Sequence, residues 1–470
     1  MADKAPASDL KTIYDAICNK APKYAKLEGY YLGNQPTVYL TARLREIFRN
    51  VDIQFTENWC AIIIDACAER ISLTGFDIKD KKANDLLAAA WERNHLTTES
   101  EDIHVTSLVD GEGYVIVWPD EDNNSLAEVY YNSPSMVHAV YSNDRPRKIA
   151  YAGKMFNGDD KRARITLYYP DRLEYYVAEK NLTNVSSASA FVPDVSVSAD
   201  GKATNPYGKV PVFHFKVSRT LQSDLANAIP LQNGVNKLLA DMMVAAEYGA
   251  FSQRWIISNA DTKDLKNAPD MIWNIPAGDG VGQQASVGQF QPTDLKNYLD
   301  AVDRISTAIG VITRTPKHYF FTQGGDPSGE ALIALEAPLN KKASDRIARF
   351  STVWKELAAF ICQIEGVTVD PTDIEPAFDD PETVQPMTMA TITKTRVDST
   401  VPLKTALRWE GKTDAEIEQM QTDQAEAKAA SQASMANALL EAERRARAAE
   451  TANPTTPGTN PQGEQNVLPQ

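Results

Sequence analysis

Apolar side chains recur three or four residues apart through most of the chain and two apart through one block before its midpoint, so helices are predicted on either side of a sheet. The longest helical stripe is Leu332, Leu335, Leu339, Ile347, Phe350, Val353, Leu357, Ile361 and Ile364, one buried face along about nine turns. Asp326 followed by Pro327 offers an N-cap and a proline at the first helical position, so the helix should start there. Pro338 inside the run cannot donate a backbone hydrogen bond and crowds the carbonyl of Ala334, which predicts a bend near residues 334–338.

Residues 1 to about 110 read as helical. Leu10, Ile13, Ile17 and Tyr24 mark a first amphipathic segment, Gly29 and Gly33 punctuate a turn, and Asn58 to Ile71 is an apolar run of helical length ending near Gly75 and Phe76. Asp65, Glu69 and Arg70 are spaced to pair across that helix for a few tenths of a kcal/mol. From about 108 to 217 the period becomes two. Strand-like runs at Tyr114–Trp118, Ala127–Tyr131, Lys148–Ala152, Arg164–Tyr169, Leu173–Val177 and Val210–Phe215 predict an antiparallel module. Asn184 to Gly208, rich in Ser, Ala and Asn, is expected to be a mobile surface loop.

Two helices follow. Pro230 can open the first, with Leu231, Val235, Leu238, Leu239, Met242 and Ala246 on one face; the second runs from about Asp294 to Val311 on Leu295, Leu299, Val302 and Ile309. Between them Met271–Ile275 reads as a strand and Gly278–Gly282 as a turn, so the residues alone describe a helical hairpin with a β insertion. Beyond the long helix, Val367 to Pro386 should cross the molecule extended. Ser399 can cap a short helix holding Leu403, Leu407 and Trp409 that Gly411 ends, and Thr413 with Glu416 has the capping-box spacing for a helix reaching about Glu450. Residues 451–470 carry too little apolar area to fold.

Composition narrows the chemistry. The chain has 470 residues, enough for roughly three domains, and an ordinary 43% hydrophobic content. No apolar run approaches the roughly 20 residues of a membrane span, and the start from Met1 to Asp9 has no signal-peptide core, so the chain is expected to stay in the cytoplasm. Cys18, Cys60, Cys67 and Cys362 lack paired spacing and read as buried free thiols. His95, His104, His138, His214 and His318 lack metal-site spacing and read as surface or satisfied core residues. Gly324 to Glu330 is glycine-rich ahead of a helix, but Glu330 stands where a P-loop needs lysine, and Ser328 lacks the glycines of a nucleophile elbow. Asp120 with Asp159, Asp160 and Lys161 loosely imitates a magnesium nuclease, yet Asn123, Asn124, Asn157 and Gly158 beside them suit turns better. No catalytic, cofactor or metal residue is assigned. The net charge of −15 opposes a grip on DNA through neutralised phosphates.

The loop Tyr319-Phe320-Phe321-Thr322-Gln323-Gly324-Gly325 feeding the long helix resembles the portal proteins of tailed bacteriophages, ring subunits of the head–tail vertex. So do the Leu27–Gly33 segment, the Asn58-led helix ending in Glu69-Arg70 before Gly75-Phe76, the strand block closed by Gly208–Val212, and the two helices around their insert. The resemblance implies a mixed α+β ring subunit: wing over residues 1–228, stem helices 229–252 and 294–313 around a clip at 253–293, channel (tunnel) loop 314–328, long kinked helix and return through the wing 329–386, helical crown 387–450 and disordered tail 451–470. It also implies a homo-oligomeric ring, as a dodecamer, that passes double-stranded DNA non-specifically during packaging and ejection. The terminase large subunit, major capsid and scaffold proteins, and a head-completion or tail adaptor would dock on it. Its place would be the virion, at the capsid vertex, after assembly in the host cytoplasm, with no membrane, cofactor or catalysis. Lys317, His318, Tyr319, Phe320, Phe321, Thr322, Gln323, Gly324 and Gly325 would line the channel, Pro338 would be the hinge, and Lys341, Lys342, Arg346 and Arg349 would meet phosphate or acidic neighbours in the ring. A capsid or scaffold protein and a metal-dependent nuclease are the alternatives; the order of helices, sheet, hairpin with insert, long helix and helical tail suits a radial ring subunit better than a tiling shell.

Overall fold

The computed structural model describes residues 7–36, 57–120, 123, 125–250, 254–257, 286–320, 328–381, 386–409 and 414–451, in two units that divide between Thr383 and Val384. In the first unit the N-terminal pattern folds as α1 (Ala7–Tyr31), which continues through Pro22 and Gly29 and leaves the turn to Gly33, at φ 79°. Leu10, Ile13, Ile17 and Tyr24 are all buried. The next helix, α2 (Trp59–Ala68), is shorter than its apolar run, and Asn58 ahead of it donates to the carbonyl of Tyr31 at 2.7 Å instead of capping its own helix.

The end of that run is a strand, β1 (Leu73–Ile78), paired antiparallel with Ile374–Phe378 in the segment read only as extended. These partners are separated by 303 residues at Thr74 and Ala377, so no local pattern announces the pairing. Asp80 caps α3 (Lys81–Arg93) by accepting from the amides of Lys82 and Ala83. α4 (Leu96–Asp110) ends on Gly111, at φ 87°, where a Cβ would lie 2.7 Å from the Leu221 carbonyl oxygen.

The period-two block forms two antiparallel sheets, not one. β2 (Glu112–Pro119) lies between β3 (Ala127–Asn132) and β10 (Val212–Lys216). The larger sheet runs β4 (Val137–Tyr141), β5 (Ile149–Asn157), β6 (Ala163–Tyr168) and β7 (Arg172–Val177), with β8 (Val192–Pro193) and β9 (Lys202–Thr204) both on β7. β4 is too short, between polar turns, to stand out in the sequence. The expected loop at 184–208 instead carries β8, β9 and a 3₁₀ turn at Ala188–Ala190. Buried Asn205 fixes its end by donating to the carbonyls of Tyr169 and Lys209 at 2.8 and 2.7 Å.

Glu112 is buried where α1 meets this block. Burial would raise its carboxyl, but His214, Lys20 at 3.1 Å and the Tyr24 hydroxyl outweigh that and hold it well below the usual carboxylate range.

α5 (Ile229–Ala250) and α6 (Lys296–Thr313) pack on each other and flank a short ladder of β11 (Arg254–Ile257) and β12 (Ser286–Gln289). Met271–Ile275 and Gly278–Gly282 lie outside the described residues. The long helix is α7 (Gly329–Ile364), capped by Ser328 and continuous through Pro338; Asp326 and Pro327, expected to start it, lie outside the described residues. Its stripe is buried at Leu339, Phe350, Leu357, Ile361 and Ile364, whereas Leu335 is 50% exposed. β13 (Ile374–Phe378) follows.

Around α7 the core closes on His104, which is fully buried, stacks on Phe350 at 4.9 Å and accepts from Trp354 Nε1 at 3.0 Å. Its other ring nitrogen faces the Ile71 carbonyl at 3.0 Å, which fixes the neutral tautomer. Of the thiols, Cys60, Cys67 and Cys362 are buried as expected, but Cys18 is exposed.

The second unit holds α8 (Pro386–Asp398), α9 (Leu403–Arg408) and α10 (Asp414–Thr451). Ser399 does not cap α9: its amide donates to Thr395 and completes α8, and Pro402 occupies the N-cap. Residues 452–470 lie outside the described residues. No helix among the described residues is long and apolar enough to cross a membrane.

Burial lowers the His104 pKa from 6.5 to about 3. The unfolded chain therefore takes up a proton that the core refuses, so stability is full above about pH 6.5 and falls by about 1.4 kcal/mol per unit towards pH 3. Urea unfolding should show about 2 kcal/mol less stability at pH 5.0 than at pH 7.5 in the wild type than in His104→Gln. Equal pH dependence in the two chains would contradict the assignment.

Candidate functional site

The residues singled out by sequence converge where α6 ends and α7 begins. Arg314 ends α6 in a left-handed conformation, φ 60°, and a 3₁₀ turn at Lys317–Tyr319 follows. Lys317 pairs back to Asp303 on α6 at 2.6 Å. His318 sits half-buried with its ring 4.7 Å from that of Tyr319.

Tyr319 and Phe320 point inward. Phe320 is 9% exposed and packs its ring 5.6 Å from that of Trp59 at the start of α2. The Tyr319 hydroxyl receives a hydrogen bond from Arg70 at 3.1 Å and donates to Glu336 of α7 at 3.3 Å. For these two rings, expected to line a channel, α2 supplies an apolar wall that buries Phe320 and a guanidinium that holds the half-buried Tyr319. Phe321, Thr322, Gln323, Gly324 and Gly325 lie outside the described residues.

Arg70 does not pair along its own helix surface with Asp65 and Glu69. It contacts Glu336 at 3.3 Å, donates to Asn340 at 2.9 Å and returns one donor to the Ala66 carbonyl. Asp65 accepts instead from the Tyr31 hydroxyl at 2.9 Å. One planar fork thus ties α2, the 3₁₀ turn and the first half of α7 together. Glu336 and Asn340 were not singled out from sequence and Arg70 was read only as a partner within its own helix, because spacing along the chain says nothing about their meeting.

The four cations after Pro338 divide. Lys342 is buried, with Nζ 3.0 Å from Asp224 and donating to the Thr313 carbonyl at 3.2 Å. Arg346 donates to the other Asp224 oxygen at 2.9 Å and to the Val217 carbonyl at 2.8 Å. The acidic neighbour of both, Asp224, lies in the same chain. Arg349 is exposed and pairs with Asp345 at 3.1 Å, and Lys341 is exposed. Beside this cluster opens a polar cleft of about 280 Å³ lined by Ser218, Gln222, Asn227, Arg314, Lys342 and Arg346.

α5 is fixed by amides. Gln232, fully buried, accepts from the Trp59 amide at 3.0 Å and donates to the Glu57 carbonyl at 2.7 Å, while Asn236 accepts from the Glu57 amide at 3.2 Å. These side chains satisfy the backbone at the start of α2, a need that Asn58 leaves unmet.

Among the described residues no group of three His, Cys, Asp or Glu side chains is placed to hold a metal. Asp120 accepts from the Asn123 amide at 3.0 Å and closes a turn. Asp160 takes both its oxygens to Arg164, at 2.6 and 2.9 Å, and its hydrogen bonds hold the carboxyl down at about 2.

A family model described as phage portal protein, SPP1 Gp6-like, matches residues 10–430. Portal proteins of Mycobacterium phage L5 and Mycobacterium phage D29 are each 23% identical to the chain, over 68% of it and 68% of their own length. A solved chain from the neck of an empty GTA particle aligns over 78% of this chain and 91% of its own with a TM-score of 0.44 and 11% identity, too distant to bear on function.

Removing Asp224 would strand two inward cations. Asp224→Ala should lower unfolding stability by about 3–5 kcal/mol in denaturant titration, and adding Lys342→Met should recover part of it. A loss within about 0.5 kcal/mol would show the cluster to be dispensable.

Proposed function

Because this chain belongs to the SPP1 Gp6-like family of phage portal proteins, we propose that it assembles as a closed homo-oligomeric ring of about a dozen subunits at the capsid vertex and passes double-stranded DNA during packaging and ejection. The match over residues 10–430 carries the reading, since it spans both units and every described element from α1 to the first part of α10.

In this reading residues 1–228 form the wing, α5 and α6 the stem, and residues 253–293 the clip, which meets the terminase motor and later the head-completion or tail adaptor. Residues 387–450 form the crown, and the wing and crown meet the major capsid and scaffold proteins. The role assigned is mechanical: the ring binds, positions and lets DNA slide, and bond-breaking is left to the motor.

The channel contact falls to residues 321–325, between Phe320 and the helix that Ser328 caps. Lys317, Tyr319 and Phe320 serve it as a root. A pinned root supports the reading, because a contact that must meet a sliding polyanion without base recognition needs a fixed starting point more than it needs affinity. The net charge of −15 is consistent with weak, evenly spread contact.

Negative-stain microscopy with mass measurement should show rings of about twelve copies with an axial hole. Deleting residues 321–325 should leave the rings intact and block DNA packaging or retention in particles. Normal packaging by the deletion would sink the loop assignment, and shells in place of rings would sink the ring.

A further inference from the structure

We propose that the crown carries a head-to-tail contact in which a basic, aromatic corner formed by α8 and α9 of one chain receives the acidic helix α10 of a second copy. This rests on the ring reading and assigns it a specific pair of surfaces.

The corner stands out against the charge of the chain. Between residues 386 and 409 lie Lys394, Arg396, Lys404 and Arg408 against a single acid, Asp398, in a chain of net charge −15. Thr400, at φ 77°, lies between the two helices, and Trp409, at the end of α9, has the Arg396 guanidinium 5.4 Å from its ring centre. Trp409 is nevertheless 58% exposed, and Val397 and Leu403 are exposed with it. An open tryptophan carrying an arginine, rimmed by lysine and aliphatic residues, is the composition of an interface anchor.

α10 offers the complement. Its 38 residues carry eight acids and four cations; seven of the acids fall before Arg444, where Lys428 is the one cation, and the helix also exposes Met420, Met435, Leu439 and Leu440. Of its described side chains Ile417 alone is buried, although the helix is 38 residues long. Helices of proteins draw most of their stability from a packed face, and this one leaves nearly all of its length open within its own unit.

Its own corner is not the occupant. At 1.5 Å per residue, Glu426 lies about 18 Å along the axis from Asp414, and Leu440 about 39 Å, so the helix soon leaves the α9 it adjoins. The complementary surface assigned to it is the corner of a second copy, whose charge is opposite. Two different surfaces on one chain make a heterologous contact, the kind that closes into a ring, and their opposite charges fix its direction.

The test uses the full chain and reads the concentration at which rings fall apart, by mass photometry at low and high salt. Lys394→Glu with Arg396→Glu reverses the corner, and Asp423→Lys with Glu426→Lys reverses the helix. Each should raise the dissociation concentration by about tenfold or more at low salt, with less effect at high salt. The chain carrying all four changes should return to within about threefold of the wild type. Circular dichroism of each variant should keep the wild-type helix content, since Lys394, Asp423 and Glu426 are exposed and Arg396 is only half-buried. Rings of unchanged stability in the one-sided variants, a loss confined to one side, or no recovery in the combined chain would each overturn the contact while leaving the ring. Wild-type chain that stays monomeric at every concentration would remove the ring reading and the contact together.

Discussion

Burial of the last two thirds of the 36-residue helix α7 is the constraint on which the first unit depends. From Leu339 to Ile364 its inward face meets β10, β13, α2, α3 and β2. Phe350, Trp354, Leu357, Phe360 and Ile361 are all fully buried there, and one tryptophan alone removes about 150–250 Å² from water, on the order of 4–6 kcal/mol. Elements distant in sequence are held together because each has the same helix to cover. The β1–β13 pair is a direct result: the chain leaving α7 returns across the sheet edge that follows α2.

Within that apolar frame the polar contacts set position more than they add stability. Lys342 and Arg346 share Asp224, Arg93 pairs with Glu365, and Lys20 and His214 converge on Glu112. Desolvation cancels much of the attraction in such pairs, yet separating them leaves a charge uncompensated, so alternative arrangements are strongly disfavoured. His104 works in the same way without charge: its two ring nitrogens accept and donate inside the core, which requires the neutral ring and fixes α4 against α7.

These fixed points bear on the function of a portal subunit. The junction of α6 and α7 is tied to α2 through Arg70 and Phe320, and to the segment before α5 through Asp224. These ties hold the turn between α6 and α7 to the first part of the chain, so that the junction cannot move without breaking contacts on two other elements. The second unit contrasts with this: within that unit its long helix buries only Ile417 among its described side chains.

The sequence by itself determined what rests on local pattern. The α7 stripe, the two helices around their insert, most strands of the sheets and the acidic balance were legible because amphipathic periodicity and turn residues act within a few positions. The family resemblance was legible too, since it rests on short runs such as the Tyr319–Gly325 loop and the Asn58-led helix. Tertiary structure alone decided which polar residues meet. Arg70 looked like a surface partner of its own helix and instead reaches Tyr319, Glu336 and Asn340; Lys342 and Arg346 were expected to meet phosphate or acidic neighbours in a ring and are held by Asp224 of their own chain; Phe320 was expected to line a channel and lies against Trp59. The physical reason is common to all three. A charged or aromatic side chain has a preferred environment but no preferred sequence distance to it, so its partner is fixed only once the apolar faces have brought distant segments together.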